Sequence, residues 1–158
     1  MANPKNSRQP DAQWKPNVTV AAVIKRGERF LLVEEKEDGE KVLNQPAGHL
    51  ESDEGIIAAV RREVLEETGW EFTPKSVVGT YYWHSPTNGT TYLRFCFSGE
   101  VGNHDPDRPL DDGIIRTFWL TRAEIEAQSD RLRSPMVLRC IQDFEAGQSF
   151  PLRLLQQL

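Results

Sequence analysis

The sequence predicts one domain of the α+β (mixed α/β) class, and three observations lead to this expectation. The chain has 158 residues, the size of a single domain with a sizeable core. Strand-like runs dominate its front and middle, with one central helical segment and two late ones. No internal repeat or linker interrupts them. We therefore expect a flexible leader over residues 1–16, rich in Pro, Asn and Gln, and one domain over residues 17–158.

The first predicted elements are strands. Apolar and β-branched residues fill two runs, 18–24 and 29–34, on either side of a turn at Arg26-Gly27. This pattern predicts a β-hairpin. A second turn at Asp38-Gly39 is followed by a short predicted strand and a loop.

The clearest helix follows that loop. Ser52 or Asp53 can cap its N-terminus, and Asp53 and Glu54 favour the positive end of its dipole. Gly69 can close its C-terminus. Three apolar residues at four-residue spacing give it a core-facing stripe: Ile56, Val60 and Val64. The segment therefore predicts an amphipathic helix that ends at Gly69.

The second half of the chain predicts three strands and two helices. Two β-rich segments flank a Ser-Pro-Thr-Asn-Gly turn at residues 85–89, and residues 114–120 form a last strand. Thr121 and Glu124 have the spacing of a capping box, which opens a helix. The final helix has a serine cap, a proline at its first position and a glycine at its end: Ser134, Pro135 and Gly147.

Composition excludes several classes of function. A formal net charge of −5 argues against a broad surface for nucleic acid or for anionic membranes. No apolar run is long enough to span a bilayer, and the N-terminus lacks the apolar core of a signal peptide, so a cytoplasmic location is the default expectation. Cys96 and Cys140 belong to no metal-like spacing and are expected to be free, buried thiols. We expect a monomer or a homodimer with a small-molecule substrate.

Three carboxylates concentrate on one side of the central helix. At about 100° per residue, Glu63 and Glu67 lie about 40° apart and Glu66 about 60° to the other side of Glu63. Like charges at this spacing destabilise a helix, and anions are unfavourable near its C-terminal end. A solvated surface with Arg61 and Arg62 is the ordinary explanation of such a cluster, whereas a bound divalent cation would relieve both costs.

The spacing around this cluster is distinctive. Five residues separate Gly48 from Glu54, and seven more separate Glu54 from Arg62. The chain then continues Glu63, Val64, Leu65, Glu66, Glu67, Thr68, Gly69 and Trp70. This segment resembles the Nudix box, G-x5-E-x7-R-E-U-x-E-E-x-G-U with U a bulky aliphatic residue, at all seven fixed positions. Trp70 departs from the last aliphatic position, where the residue packs and performs no chemistry.

The resemblance implies the Nudix fold, a mixed β-sheet sandwiched between helices. It also implies hydrolysis of nucleoside diphosphates linked to another group, with Mg²⁺ (or Mn²⁺) as cofactor. By the family motif, the metal ligands are the carboxylates of Glu63, Glu66 and Glu67 and the carbonyl of Ala47. The same motif implies catalytic roles for Glu63, Glu66 and Arg62, of which Arg62 orients a box glutamate. It implies only a structural role for Glu54.

Several stretches outside the box are similar to one phosphatase subgroup of that family: residues 44–51, 93–95, 132–135 and 151–152, together with Trp83. This similarity implies release of inorganic phosphate from nucleoside tri- and diphosphates, and activity on hydroxymethylpyrimidine pyrophosphate and thiamine pyrophosphate. Trp83 could stack on a base, and Arg94 and His49 could bind phosphate. The alternatives are an ADP-ribose or dinucleoside-polyphosphate pyrophosphatase and a non-catalytic Nudix binding domain.

A last acidic residue is expected from outside the box. Nudix enzymes often take a further ligand or the general base from a loop before a late strand. Asp111 and Asp112 stand just before the strand at 114–120, and Asp112 is the preferred catalytic residue. An ordinary Asp-Asp-Gly turn is the competing interpretation.

Overall fold

A computed structural model describes residues 13–158, in which eight strands form two four-stranded sheets. The strands are β1 (Asn17–Val23), β2 (Lys25–Arg26), β3 (Arg29–Glu37), β4 (Glu40–Asn44), β5 (Ala47–His49), β6 (Trp70–His84), β7 (Thr91–His104) and β8 (Ile114–Thr121). The helices are α1 (Ile56–Thr68), α2 (Arg122–Glu126) and α3 (Pro135–Glu145), with short 3₁₀ turns at Ser129–Arg131 and Leu152–Leu154. The predicted leader, residues 1–16, falls largely outside the described residues.

The first sheet is mixed and has the strand order β5-β1-β7-β6. β1 runs parallel to β7 and antiparallel to β5, and β6 and β7 form a long antiparallel hairpin around the predicted turn at 85–89. The predicted pairing of residues 18–24 with 29–34 is therefore wrong. Of the chain before that turn, only the short β2 pairs with the start of β3, because β1 lies in the other sheet.

The second sheet is antiparallel and has β3 at its centre. β4 and β8 pair with opposite edges of β3. The turn between β3 and β4 confirms the prediction for Asp38-Gly39, since both residues have positive φ angles, 48° and 88°. The register between β3 and β8 shifts at Glu34/Glu35, which is a β-bulge.

The core lies on both faces of β1. Val20 and Ala22 face a cluster that includes Val60 and Val64 of α1. The alternate residues of the strand face a second cluster that contains Ile125 of α2 and Ile141 of α3. Helices thus cover both sides of the sheet, which confirms the predicted mixed α/β class. Both predicted free thiols are buried in the second cluster: Cys96 and Cys140.

Helix boundaries agree with the sequence except at the start of α1. The N-cap of α1 is Gly55, so the prediction of Ser52 or Asp53 is wrong. Glu54 also precedes the helix, so it does not stand in the first turn, where the helix dipole would favour it. Its carboxylate instead accepts the N–H of Glu51 (2.8 Å) and binds Arg62. Gly69 closes α1 in the left-handed conformation, as expected.

The two late helices begin as the sequence predicts. Thr121 and Glu124 form a reciprocal capping box at α2. Ser134 caps α3 and Pro135 occupies its first turn. No helix within residues 13–158 has the length and apolar character needed to cross a membrane.

Candidate active site

A cavity of about 630 Å³ opens between α1, the two sheets and the start of α3. Residues from β1, β5, the β6–β7 hairpin and α3 contribute to its walls. All but one of the predicted site residues line it: Ala47, His49, Arg62, Glu63, Glu66, Glu67, Trp83 and Arg94. The fold therefore brings the box residues together with Trp83 and Arg94 of the β6–β7 hairpin.

Two of the three box carboxylates are buried at the bottom of this cavity. Glu63 is 6% exposed and Glu67 is 5% exposed. Oε2 of Glu67 accepts the backbone N–H of Ala47 at 2.9 Å. A Cβ atom at Gly48 would lie 2.2 Å from Cδ of Glu63, so any side chain there must displace that carboxylate. The loop before α1 and the acids of α1 are therefore packed directly together.

Arg62 is the cation that organises the box. Its Nε and Nη2 bind the two carboxylate oxygens of Glu54 at 3.0 and 2.7 Å, a bidentate pair. Its Nη1 reaches Glu63 at 2.7 Å and Glu66 at 3.2 Å. Nη2 also donates to the main-chain carbonyl of His49 at 3.1 Å. The hydrogen bonds from Arg62 lower the pKa of Glu54 below its usual value.

The two buried acids differ in charge compensation: Glu63 shares Arg62 with other acids, whereas Glu67 has no cationic partner within residues 13–158. Burial raises the pKa of Glu67 to about 9; the hydrogen bond from Ala47 opposes this, and the nearby acids Glu35 and Glu63 add to it. Burial also raises the pKa of Glu63, against the effect of Arg62. A buried, repelling set of carboxylates is what a cation would stabilise.

The donor set fits a divalent cation of the Mg²⁺ class. Carboxylate oxygens are hard ligands, and Mg²⁺ binds through one or two of them while keeping water for phosphate oxygens. As their side chains stand, no three His, Cys, Asp or Glu residues within 13–158 surround a common point. The hydrogen bonds explain this arrangement, because the carboxylate of Glu63 accepts from Arg62 and that of Glu67 accepts from the N–H of Ala47. Binding a metal would require these carboxylates to exchange partners.

The acid outside the box is placed differently from the sequence-based preference. Asp111 lines the cavity, and its N–H donates to the carbonyl of Glu66 at 2.9 Å, which ties the loop to α1. Its charge contributes to the raised pKa of Glu63 and Glu67. Asp112 does not line the cavity and precedes Gly113, whose φ is 88°. The geometry therefore favours Asp111 over Asp112.

Glu35 and Arg133 are among the charged cavity residues that the sequence did not predict. Glu35 is buried in β3 next to the bulge, and Arg133 precedes α3. Arg133 binds Glu35 and Glu37, both at 2.8 Å. A signal existed in the sequence, because the consecutive acids Glu34 and Glu35 directly follow the apolar run at residues 30–33. The bulge sends Glu34 to a separate ion pair with Arg116 and Arg131.

The predicted substrate residues are placed unequally. Arg94 is 4% exposed and lies against the amides of Asn44 and Gln45. Trp83 stacks on Tyr92 with the ring centroids 5.7 Å apart and the planes 20° apart. The exposed ring of His49 lies 3.5 Å from the amide of Asn17, so in this structure its direct link to the box is its main-chain carbonyl.

Comparison with known proteins identifies relatives of this arrangement. A family model described as the NUDIX domain matches residues 15–139. The phosphatase NudJ of Escherichia coli (strain K12) is 40% identical over 142 residues, which covers 90% of this chain and 92% of NudJ. The match therefore extends well beyond the box.

Solved structures agree on the fold. A NUDIX hydrolase from Nitrosomonas europaea is 54% identical, with a TM-score of 0.90, covering 91% of this chain and 98% of that one. An ADP-ribose pyrophosphatase from Streptococcus suis 89-1591 has a TM-score of 0.63 at 16% identity, covering 85% of this chain and 94% of that one. At that identity the second similarity concerns the fold alone.

Proposed function

The chain belongs to the Nudix family of hydrolases, which act on phosphorus anhydrides, and we propose that it is a Mg²⁺-dependent phosphatase of nucleoside tri- and diphosphates. One observation carries the proposal: buried carboxylates line the same cavity as Arg94, a buried arginine that has no acidic partner within residues 13–158. The 40% identity to the phosphatase NudJ over 90% of the chain supports the choice of reaction. Nudix hydrolases generally use divalent metal ions; Mg²⁺ is our specific proposal, with Mn²⁺ as a substitute.

In the proposed reaction, the oxygen of a water molecule bonds to the terminal phosphorus while the bridging P–O bond breaks. Orthophosphate leaves together with the shortened nucleotide, and the proton of the water passes to a cavity carboxylate. A divalent cation, when bound, neutralises phosphate charge and lowers the pKa of the attacking water. Glu63, Glu66, Glu67 and the carbonyl of Ala47 would hold it.

The remaining residues would act by orientation and proton transfer. Arg62 fixes Glu63 and Glu66 through a single guanidinium, so their oxygens face the cavity in a defined geometry. The glutamate at position 66 keeps 34% of its side chain exposed and is the most accessible box acid for a proton. Asp111 is the candidate base outside the box.

A flat heterocycle would fit beside the phosphate groups. Trp83 and Tyr92 form a stacked pair on the cavity wall, and stacking on a base is tolerant of base identity. For this reason hydroxymethylpyrimidine pyrophosphate and thiamine pyrophosphate belong with the nucleotides in the substrate set.

Product analysis tests the proposal. The protein is incubated with Mg²⁺ and each of ATP, GTP, ADP, ADP-ribose, a dinucleoside tetraphosphate, hydroxymethylpyrimidine pyrophosphate and thiamine pyrophosphate, and products are identified by ³¹P NMR. We expect orthophosphate from the triphosphates, followed by a second orthophosphate as the diphosphate is consumed. Pyrophosphate with monophosphate as the only products, or turnover confined to ADP-ribose or the dinucleotide, would assign the chain to a pyrophosphatase instead.

A further inference from the structure

The three arginines that line the active-site cavity differ in their partners. Arg62 contacts the carboxylates of the box, and Arg133 contacts two acids of β3. Arg94 is the most buried of the three, yet it forms no ion pair within the part of the chain that the structure describes. A buried guanidinium without a counter-charge is unfavourable unless something supplies one.

Neutral amides hold this guanidinium in place. Nη1 of Arg94 donates to Oε1 of Gln45 at 3.0 Å, and Nη2 donates to Oδ1 of Asn44 at 3.4 Å. The other end of the Gln45 amide donates to the carbonyl of Val137 at 2.6 Å. Because that carbonyl can only accept, the amide oxygen must face Arg94. The contacts fix the orientation of Arg94 and leave its positive charge intact.

An unpartnered hydroxyl lies on the same face of the sheet as Arg94, on the neighbouring strand. Thr19 of β1 is the register neighbour of Arg94 in the parallel β1–β7 pair, so the two side chains emerge on the same face. Thr19 is 6% exposed, and both its Oγ1 and Nε of Arg94 lack a hydrogen-bond partner among residues 13–158. Buried polar groups are nearly always paired, so two adjacent exceptions on a cavity wall indicate a place for a ligand.

We propose that Arg94 and Thr19 form an anion subsite that binds a phosphate group of the substrate, and that Gln45 and Asn44 are positioning residues that hold Arg94 without neutralising it. A phosphate oxygen would supply the missing counter-charge and accept the free hydroxyl. A carboxylate at position 45 would still accept from Nη1 of Arg94, but it would cancel the charge and would lose the hydrogen bond to the carbonyl of Val137. The identity of the substrate in this proposal rests on the proposed function. The binding of orthophosphate to the subsite does not.

Calorimetric titration with inorganic phosphate, at one saturating Mg²⁺ concentration, tests the role of charge. We expect Gln45→Glu to weaken phosphate binding by about tenfold or more, because the new carboxylate pairs with Arg94. Gln156→Glu adds the same charge at an exposed position and serves as the matched control. Its affinity for phosphate should equal that of the wild type.

Thr19 provides a second test that does not depend on the stability of Gln45→Glu. Thr19→Val keeps the shape of the side chain and removes the hydroxyl, and should weaken phosphate binding about fivefold. Thr19→Ser restores the hydroxyl and should restore the affinity. Melting temperatures identify any variant that fails to fold. Unchanged phosphate affinity in folded Gln45→Glu and in Thr19→Val would overturn the subsite.

Steady-state kinetics separate this proposal from the proposed function. In Gln45→Glu and Thr19→Val, KM for a nucleoside triphosphate should rise by a larger factor than kcat falls, whereas a purely structural defect lowers the active fraction and therefore kcat. If the wild type binds phosphate through Thr19 and Arg94 but hydrolyses no nucleotide, the subsite stands and the proposed function falls. If nucleotides are hydrolysed and both variants match the wild type, the reverse holds.

Discussion

The backbone N–H of Ala47 donates to Oε2 of Glu67 across 2.9 Å, which joins the loop before the box helix to the last acid of the box. Ala47 occupies the position from which family members take a carbonyl ligand. The contact therefore holds the main chain at position 47 against the carboxylate of Glu67, and these are two of the groups that we propose as metal ligands. The same hydrogen bond helps to hold the carboxylate of Glu67 in place, and burial raises the pKa of that carboxylate to about 9.

Glu67→Gln should lower kcat by at least about 10²-fold, because it removes one ligand charge from a site whose catalysis depends on the metal. The glutamine keeps an oxygen that can accept the Ala47 N–H, so the melting temperature should fall little. Glu40→Gln, an exposed acid on β4, is the matched control. Turnover of Glu67→Gln within about twofold of the wild type would contradict a ligand role for Glu67.

Metal removal should abolish turnover, and Mg²⁺ should restore it. The same cation should raise the melting temperature of the wild type, because it binds the folded protein and compensates buried carboxylates. We expect a smaller Mg²⁺-induced shift in Glu67→Gln when both proteins are scanned over one series of Mg²⁺ concentrations. Full activity in EDTA would contradict the need for a metal.

Asp111→Asn should lower kcat by on the order of 10² with little change in KM, whereas Asp112→Asn should leave kcat near that of the wild type. The reason is position: Asp111 lines the cavity and Asp112 does not. Both asparagines retain turn-forming ability, so each variant controls for the other. Measurements of kcat and melting temperature at saturating Mg²⁺ distinguish a catalytic role from a turn-forming role for each aspartate. Wild-type kcat in both variants would return the base to Glu63 or Glu66.

Glu34 should stabilise the protein in a pH-dependent way. Burial alone would raise the pKa of Glu34, but hydrogen bonds from Arg131 and Arg116 outweigh it and lower the pKa below its usual value. A lowered folded-state pKa adds stability that is complete above the ordinary glutamate pKa of about 4.3 and is lost as pH falls through the folded-state value. The difference in free energy of unfolding between the wild type and Glu34→Gln should therefore be largest near neutral pH and shrink in acid. A difference that stays constant from pH 7 to pH 3 would contradict this role.

Local signals predicted the helix ends of the second half correctly. The capping box of Thr121 and Glu124 and the serine cap at Ser134 involve neighbours within a few residues, so the sequence contains the whole interaction. The start of α1 was mispredicted for the opposite reason. Glu54 binds Arg62, which lies eight residues away, and this contact takes the chain before Gly55 out of the helix.

Pairing between distant strands could not be inferred from the sequence. β1 was expected to pair with the run at 29–34, yet its partners are β5 and β7, and β7 lies more than seventy positions later. The active-site residues likewise divide into those that a local pattern predicts and those that depend on distant contacts. The box residues were found by their spacing, whereas Glu35 and Arg133 reach the cavity through sheet register and the start of α3, which no local pattern encodes.

Arg62 also limits how this enzyme can be altered. Since Glu54, Glu63 and Glu66 all bind one guanidinium, a change at any of them redistributes the hydrogen bonds of the other two. Double-mutant cycles among these three acids should therefore show strongly non-additive changes in free energy. Cycles that pair one of them with the distant Glu34 should show additive changes. For protein engineering, we therefore expect that the acids which share Arg62 must be exchanged together, whereas substitutions on the wall that bears Trp83 and Arg94 should act independently of them.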